Sequence, residues 1–208
     1  MIPSRIFVSG TDTDVGKTVV SAALVVGLEA CYWKPVQAGT EPATDTEQVR
    51  SWTEIPESRL IPEVYRLRTP ASPHAAAELD GTAIDLDRIV RTSLPRDRAV
   101  VIEGAGGLLV PLNESALVAD LIERLSFPVV LTARTGLGTL NHTLLSIAEI
   151  RRRSIPLLGV VLNGAPHESN ERAIERYAQV PILGRIPRLE SVNRAALLDA
   201  FRRLELNV

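Results

Sequence analysis

The chain has 208 residues, enough for one α/β domain with a sizeable core. Its 45% hydrophobic and 23% charged residues are ordinary for a soluble globular protein, and a net charge of −2 offers no bulk attraction for nucleic acid or an acidic membrane. The lone cysteine, Cys31, excludes an intrachain disulfide, suits a reducing compartment and reads as a small buried apolar residue. Residues 1–5 lack a basic segment followed by a long apolar one, and the longest apolar runs are too short for a bilayer, so a cytoplasmic setting is expected.

Residues 5–9 form an apolar run that predicts the first strand. Residues 19–28, apolar nearly all round, predict a helix buried against a sheet. Between them stands Gly10-Thr11-Asp12-Thr13-Asp14-Val15-Gly16-Lys17-Thr18. Strand, glycine-containing loop, Gly-Lys-Thr and helix make a phosphate-binding loop. Main-chain N–H groups of the loop and the helix start surround an anion, Lys17 reaches the β- and γ-phosphates, and the Thr18 hydroxyl ligates Mg²⁺. The common spacing places a glycine at position 11, which is Thr11 here; Gly10 stands one residue earlier, so the loop is longer by one.

Residues 31–34 predict a second strand, ended by Pro35. Taken alone, Lys34 reads as a solvated lysine at a strand edge; beside a phosphate site it is a candidate second cation. Residues 45–52 predict a short amphipathic helix capped by Thr44 or Asp45. Pro56, Pro62, Pro70 and Pro73 punctuate an irregular stretch with a short strand at 64–67. Helices are predicted to begin at Pro73 and, capped by Asp85, at Leu86.

Residues 99–103 are an apolar run that ends in Glu103 before Gly104-Ala105-Gly106-Gly107, the pattern of a buried parallel strand. An acid at that strand end belongs to a Mg²⁺ site in phosphate-binding-loop proteins; the alternative is a capping or solvated acid. Residues 108–112 predict a short strand or turn, 117–125 a helix, 129–132 a strand and 140–152 a helix entered through Gly136-Leu137-Gly138-Thr139. Residues 156–162 predict a strand ending at Asn163-Gly164, 168–177 a helix, 180–186 the last strand and 193–204 the closing helix. This alternation predicts an α/β fold of three layers, a mostly parallel sheet with helices on both faces, in a single domain over residues 1–208.

Several of these stretches together resemble the dethiobiotin synthetases of the biotin pathway, a branch of the P-loop NTPases. They are the segment from Gly10 to Thr18, Lys34-Pro35-Val36-Gln37-Ala38-Gly39, Ser72-Pro73-His74, Glu103-Gly104-Ala105-Gly106-Gly107, Gly138-Thr139-Leu140-Asn141-His142 and, near the end, Gly184-Arg185-Ile186-Pro187. The G-T-D-T-x-V-G-K-T form is highly specific and accounts for the lengthened loop. The resemblance implies ring closure of 7,8-diaminopelargonate with CO₂ and ATP to dethiobiotin, through a carbamate and a carbamic-phosphoric anhydride, with ADP and phosphate released. It implies catalytic roles for Lys17, Lys34 and Thr13, and Mg²⁺ ligation by Thr18, Asp45 and Glu103. ATP would lie along Asp12, Thr13, Asp14, Val15, Gly16, Lys17 and Thr18, with Asp45 and Glu103 nearby. Asn163, Gly164 and Pro187 would meet the base, although Asn163-Gly164 is also a common turn pair. Thr13, Lys34, Thr40 and the helix start Gly138, Thr139, Leu140 and Asn141 would hold the substrate, the last four at its carboxylate. A homodimer with the substrate site at the subunit boundary is also implied.

Two departures stand out. The hydroxyl residue that the family often carries before Gly39 is Ala38 here; either Thr40 substitutes for it or the contact is absent. The span from Lys17 to Lys34 is short by about a helical turn, so the first helix or the loop after it should be trimmed. His74 and His142 read as structural histidines. Two other classes share a similar ATP-binding domain. Cobyrinate-type amidotransferase synthases need a glutaminase portion, for which this chain has no room. ParA/MinD-like switches carry an additional lysine early in the loop, where positions 11–15 hold Thr, Asp, Thr, Asp and Val.

Overall fold

The computed structural model describes residues 2–206. Strand β1 (Arg5–Gly10) leads through the glycine loop to helix α1 (Lys17–Gly27), then β2 (Cys31–Trp33), β3 (Val36–Ala38) and α2 (Asp45–Thr53). Next come β4 (Leu60–Ile61), β5 (Tyr65–Leu67), α3 (Pro73–Leu79), α4 (Leu86–Val90), β6 (Val100–Gly107) and α5 (Val118–Leu125). The chain ends with β7 (Val129–Arg134), α6 (Thr139–Arg152), β8 (Leu157–Asn163), α7 (Glu168–Ala178), β9 (Ile182–Ile186) and α8 (Arg194–Arg202). Seven strands make one all-parallel sheet in the order β4-β2-β6-β1-β7-β8-β9, and β3 pairs with β5 in a separate parallel ribbon.

Period-two alternation divides the core between the two faces of the sheet. Ile6, Val8, Val101, Val130 and Val161 pack with α1, α2 and α8, whereas Phe7, Val100, Ile102, Val129 and Leu131 pack with α3 to α7. With both faces covered, the central strands are apolar throughout, so they read as unbroken runs. The predicted α/β architecture of three layers is the one observed. Among the described residues no helix is long and apolar enough to cross a membrane.

The departures have local causes. β6 does not stop at Glu103 but runs on through its glycines, with Gly107 opposite Gly10 on β1. Glycine's weak strand preference is overridden by an available ladder partner. β3 and β4 lie outside the predicted strands: β3 follows Pro35, which ends β2, and β4 falls in the proline-punctuated stretch. Residues 108–112 form a turn whose only ladder contact is the isolated bridge of Pro111 to Leu117. Thr44, not Asp45, caps α2: its hydroxyl accepts the Glu47 N–H and the Glu47 carboxylate accepts the Thr44 N–H, a reciprocal box worth about 1 kcal/mol. α1 ends at Gly27, and residues 28–30 carry the chain to β2.

Candidate active site

The side chains of interest meet where β1, β2 and β6 end and α1 begins. Two glycines shape the loop. A Cβ on Gly10 would lie 2.8 Å from the Asp12 carbonyl oxygen and 2.9 Å from a Val15 methyl, so Gly10 is the position where the loop folds back on itself. Thr11 is still held beside the sheet by its N–H to the Thr132 carbonyl at 3.0 Å, which explains the extra residue. Gly16 has φ of 94°, and a Cβ there would fall 1.8 Å from the Asn163 amide nitrogen. Left-handed backbone and close approach together leave no residue but glycine.

Lys17 is buried, and its ammonium donates to the Asp12 carbonyl at 2.9 Å across the loop. Burial lowers its pKa, and the Lys34 ammonium adds to that shift. An anion bound beside it would act in the opposite sense.

Lys34 is not the solvated edge lysine its sequence context permits. β4 covers β2 on the outside, and Lys34 is only 4% exposed. Its Nζ lies 2.7 Å from Asp45 Oδ2 and 3.0 Å from Glu103 Oε1, and donates to the Gly104 carbonyl at 3.0 Å. Burial opposes the charge, but the carboxylates of Glu103 and Asp45 more than reverse it and hold the Lys34 pKa above its ordinary value. For Asp45, likewise, burial pushes upward and the adjacent Lys34 ammonium prevails, leaving its carboxyl below the usual range. The Thr18 hydroxyl donates to Glu103 Oε1 at 2.9 Å and lies 3.2 Å from Asp45 Oδ1. Thr18, Asp45 and Glu103 thus bring hard oxygen donors to one point beside the loop. That donor set fits Mg²⁺, which prefers oxygen and takes one or two protein carboxylates together with substrate phosphates. It does not suit a metal held by protein alone: among the described residues no group of three or more His, Cys, Asp and Glu could hold one.

A cavity of about 840 Å³ opens over this cluster, and Thr13, Asp14, Gly16, Lys17, Thr18, Lys34, Asp45 and Glu103 line it. It extends past Gly39, Pro42, Trp52, Pro70 and Pro73. Asp12 and Val15 serve the loop itself: the Asp12 carboxylate accepts the Thr13 N–H at 2.8 Å and Arg134 at 2.7 Å, and the Val15 carbonyl accepts the Asn163 amide at 3.0 Å. Thr40 is half-buried next to Gly39, just outside the lining. Asn163 and Pro187 stand at the ends of adjacent strands β8 and β9, where the Gly164 N–H bonds the Ile186 carbonyl at 2.9 Å, so these three form a ledge beside the loop.

Gly138, Thr139, Leu140 and Asn141 do not reach this cavity. Thr139 is buried; its hydroxyl bonds the Arg134 carbonyl and the Thr143 hydroxyl, and its N–H bonds Gly136. A substrate role for its side chain is therefore not supported within the subunit, whereas Asn141 is exposed. His74 sits beside the Ser72 hydroxyl and His142 lies 3.8 Å from Asp12, both at the surface.

Three residues escaped sequence reasoning. Tyr32, fully buried, donates its phenol to Glu103 Oε2 at 2.9 Å; burial and then the Glu103 charge push its pKa well above the ordinary value, so it stays a donor. Gln37 accepts the Asp45 N–H at 3.2 Å and donates to the Gly39 carbonyl at 2.8 Å, tying the start of α2 to the cavity wall. Arg134 clasps Asp12. Strand alternation placed Tyr32 on the same side as Lys34, two residues on, and was the one signal available for it.

A family model described as an AAA domain matches residues 4–196. The ATP-dependent dethiobiotin synthetase BioD of Rhodopseudomonas palustris (strain HaA2) is 53% identical over 196 residues, covering 94% of this chain and 91% of the relative. The protein of the same name from Rhizorhabdus wittichii is 50% identical over 196 residues, covering 94% and 93%. Among solved structures, the MinD cell division protein of Aquifex aeolicus superposes with a TM-score of 0.56 at 13% identity, covering 96% of this chain and 95% of that one. A ParA family ATPase from Chlorobium tepidum superposes with a TM-score of 0.54 at 14% identity, covering 98% and 92%. At such identities these two likenesses establish the fold alone.

Proposed function

The chain belongs to the ATP-dependent dethiobiotin synthetase family, and on that footing we propose how its own residues close the ring of 7,8-diaminopelargonate with CO₂. The observation that carries the reading is Lys34, a second buried ammonium paired with Asp45 and Glu103 immediately beside the phosphate-binding loop. A reaction that brings an anionic carbamate against ATP has a use for such a second cation.

One substrate amine adds to CO₂, losing a proton and giving a carbamate. A carbamate oxygen takes the γ-phosphoryl group, ADP departs, and the second amine attacks the carbonyl carbon. Phosphate leaves with the C–O bonding pair, the attacking nitrogen loses its proton, and the cyclic urea is formed. Lys17 neutralises charge on the β- and γ-phosphates while the loop N–H groups hold them. Lys34 stabilises charge on the carbamate and the group in transfer, and Thr13 hydrogen-bonds the same region. Mg²⁺, when bound by Thr18, Asp45 and Glu103, would supply further neutralisation of the phosphates. Asn163, Gly164 and Pro187 receive the base, and Thr40 stands in for the hydroxyl missing at Ala38. The whole chain is read as one domain, and its setting as cytoplasmic, which suits the lone buried Cys31. Incubating the protein with diaminopelargonate, bicarbonate and MgATP should yield dethiobiotin by mass; ATP consumption without that product would sink the reading.

We further propose a homodimer in which the start of α6 from one subunit completes the other's site. Two facts support it: Gly138 to Asn141 lie off the cavity of their own subunit, and Leu137 just before them is fully exposed, with exposed Leu145 on the same helix. The Leu140 and Asn141 N–H groups at that helix start suit the substrate carboxylate. Mixing inactive Lys17→Ala and Asn141→Asp proteins should restore part of the activity, because mixed dimers hold one site with both parts intact. No recovery after demonstrated subunit exchange would refute the shared site.

A further inference from the structure

The site described above uses only one of the two oxygens of Glu103. Oε1 faces the Thr18 hydroxyl at 2.9 Å and the Lys34 ammonium at 3.0 Å. Oε2 accepts the Tyr32 phenol at 2.9 Å. Glu103 is 1% exposed and Tyr32 is 0% exposed, so the contact is shielded from solvent. The terminal torsion of a glutamate is broad, and a carboxylate anchored at one oxygen can still turn about it. Held at both oxygens, it cannot.

We propose that Tyr32 is a positioning residue that locks the Glu103 carboxylate with Oε1 presented to Thr18 and the metal. This rests on the Mg²⁺ reading above. The phenol is itself well fixed. Tyr32 pairs with Val101, two residues before Glu103 on the neighbouring strand, which puts both side chains on the α1 side of the sheet. Its ring shares a core cluster with Val20 and Leu24 of α1 and Val49 of α2. Metal-ligating groups are commonly oriented by such outer contacts, whose loss typically costs about 10–100-fold in metal affinity.

Tyr32→Phe keeps the packed ring and removes one O–H. Binding of ATP is measured by calorimetry across a Mg²⁺ series and again in chelator, for wild type, Tyr32→Phe and Glu103→Gln. In Tyr32→Phe the Mg²⁺ needed for half-maximal tightening should rise roughly tenfold, with binding in chelator unchanged within about twofold. A tyrosine serving only the core would weaken binding equally with and without Mg²⁺, and that result would overturn the proposal. If Glu103→Gln leaves the Mg²⁺ series unchanged, the metal reading itself falls; if Glu103→Gln shifts it and Tyr32→Phe does not, only the role of Tyr32 falls. A probe that needs no variant at Tyr32 guards against misfolding. The chain has three tyrosines, so fluorotyrosine-labelled protein gives three ¹⁹F signals, assigned with Tyr65→Phe and Tyr177→Phe. The Tyr32 signal should move when Mg²⁺ is added to the ATP complex; a signal indifferent to Mg²⁺ would also overturn the proposal.

Discussion

Lys17→Ala should lower turnover by about 10²–10³-fold at saturating MgATP, the usual cost of removing one preorganised charge from a developing transition state. The magnitude follows from where the ammonium sits. Lys17 is buried, and burial already lowers its pKa, so its charge is poorly screened and acts strongly on an adjacent phosphate. The neighbouring Lys34 cannot take over, because it is tied to Asp45 and Glu103 within 3.0 Å. The fold should survive, since the variant loses a single hydrogen bond, to the Asp12 carbonyl, and α1 keeps its apolar face. Single-turnover measurement of phosphoryl transfer checks this; near wild-type rates would remove the loop lysine from the chemistry.

Lys34→Met should separate binding from chemistry. Methionine fills the same buried volume without the charge. Because Lys34 faces Asp45, Glu103 and the cavity rather than the loop, ATP affinity should change by no more than a few-fold, while ring closure should fall by about 10²–10³-fold. The measurements are equilibrium ATP binding and product formation on the same preparation. Equal losses in both would mean that Lys34 merely positions ATP.

Much of this site was legible in the chain as written. A loop that must wrap an anion needs glycine at fixed places, a lysine and a hydroxyl directly after it, and flanking strand and helix, and all of these are local along the sequence. The same holds for the apolar runs of the central strands and for the caps at Thr44 and Asp85, where one side chain answers an N–H group two or three residues away. Local chemistry also misled: the glycines after Glu103 speak for a loop, yet the strand runs on to Gly107, which pairs with Gly10 of β1.

What the residues could not disclose depends on strand order. β6 lies between β2 and β1, although it follows them by some 70 residues and more, as the separations of Lys34 and Thr18 from Glu103 show. That insertion carries Glu103 between the end of β2 and the start of α1, where it meets Lys34 and Thr18, and gives Tyr32 a carboxylate to hold. Pairing between distant strands is set by which arrangement buries both faces of the sheet at once, a property of the assembled core. A lysine that locally looks solvated therefore becomes a buried cation, and a tyrosine that locally looks like core packing becomes a hydrogen-bond donor to the site.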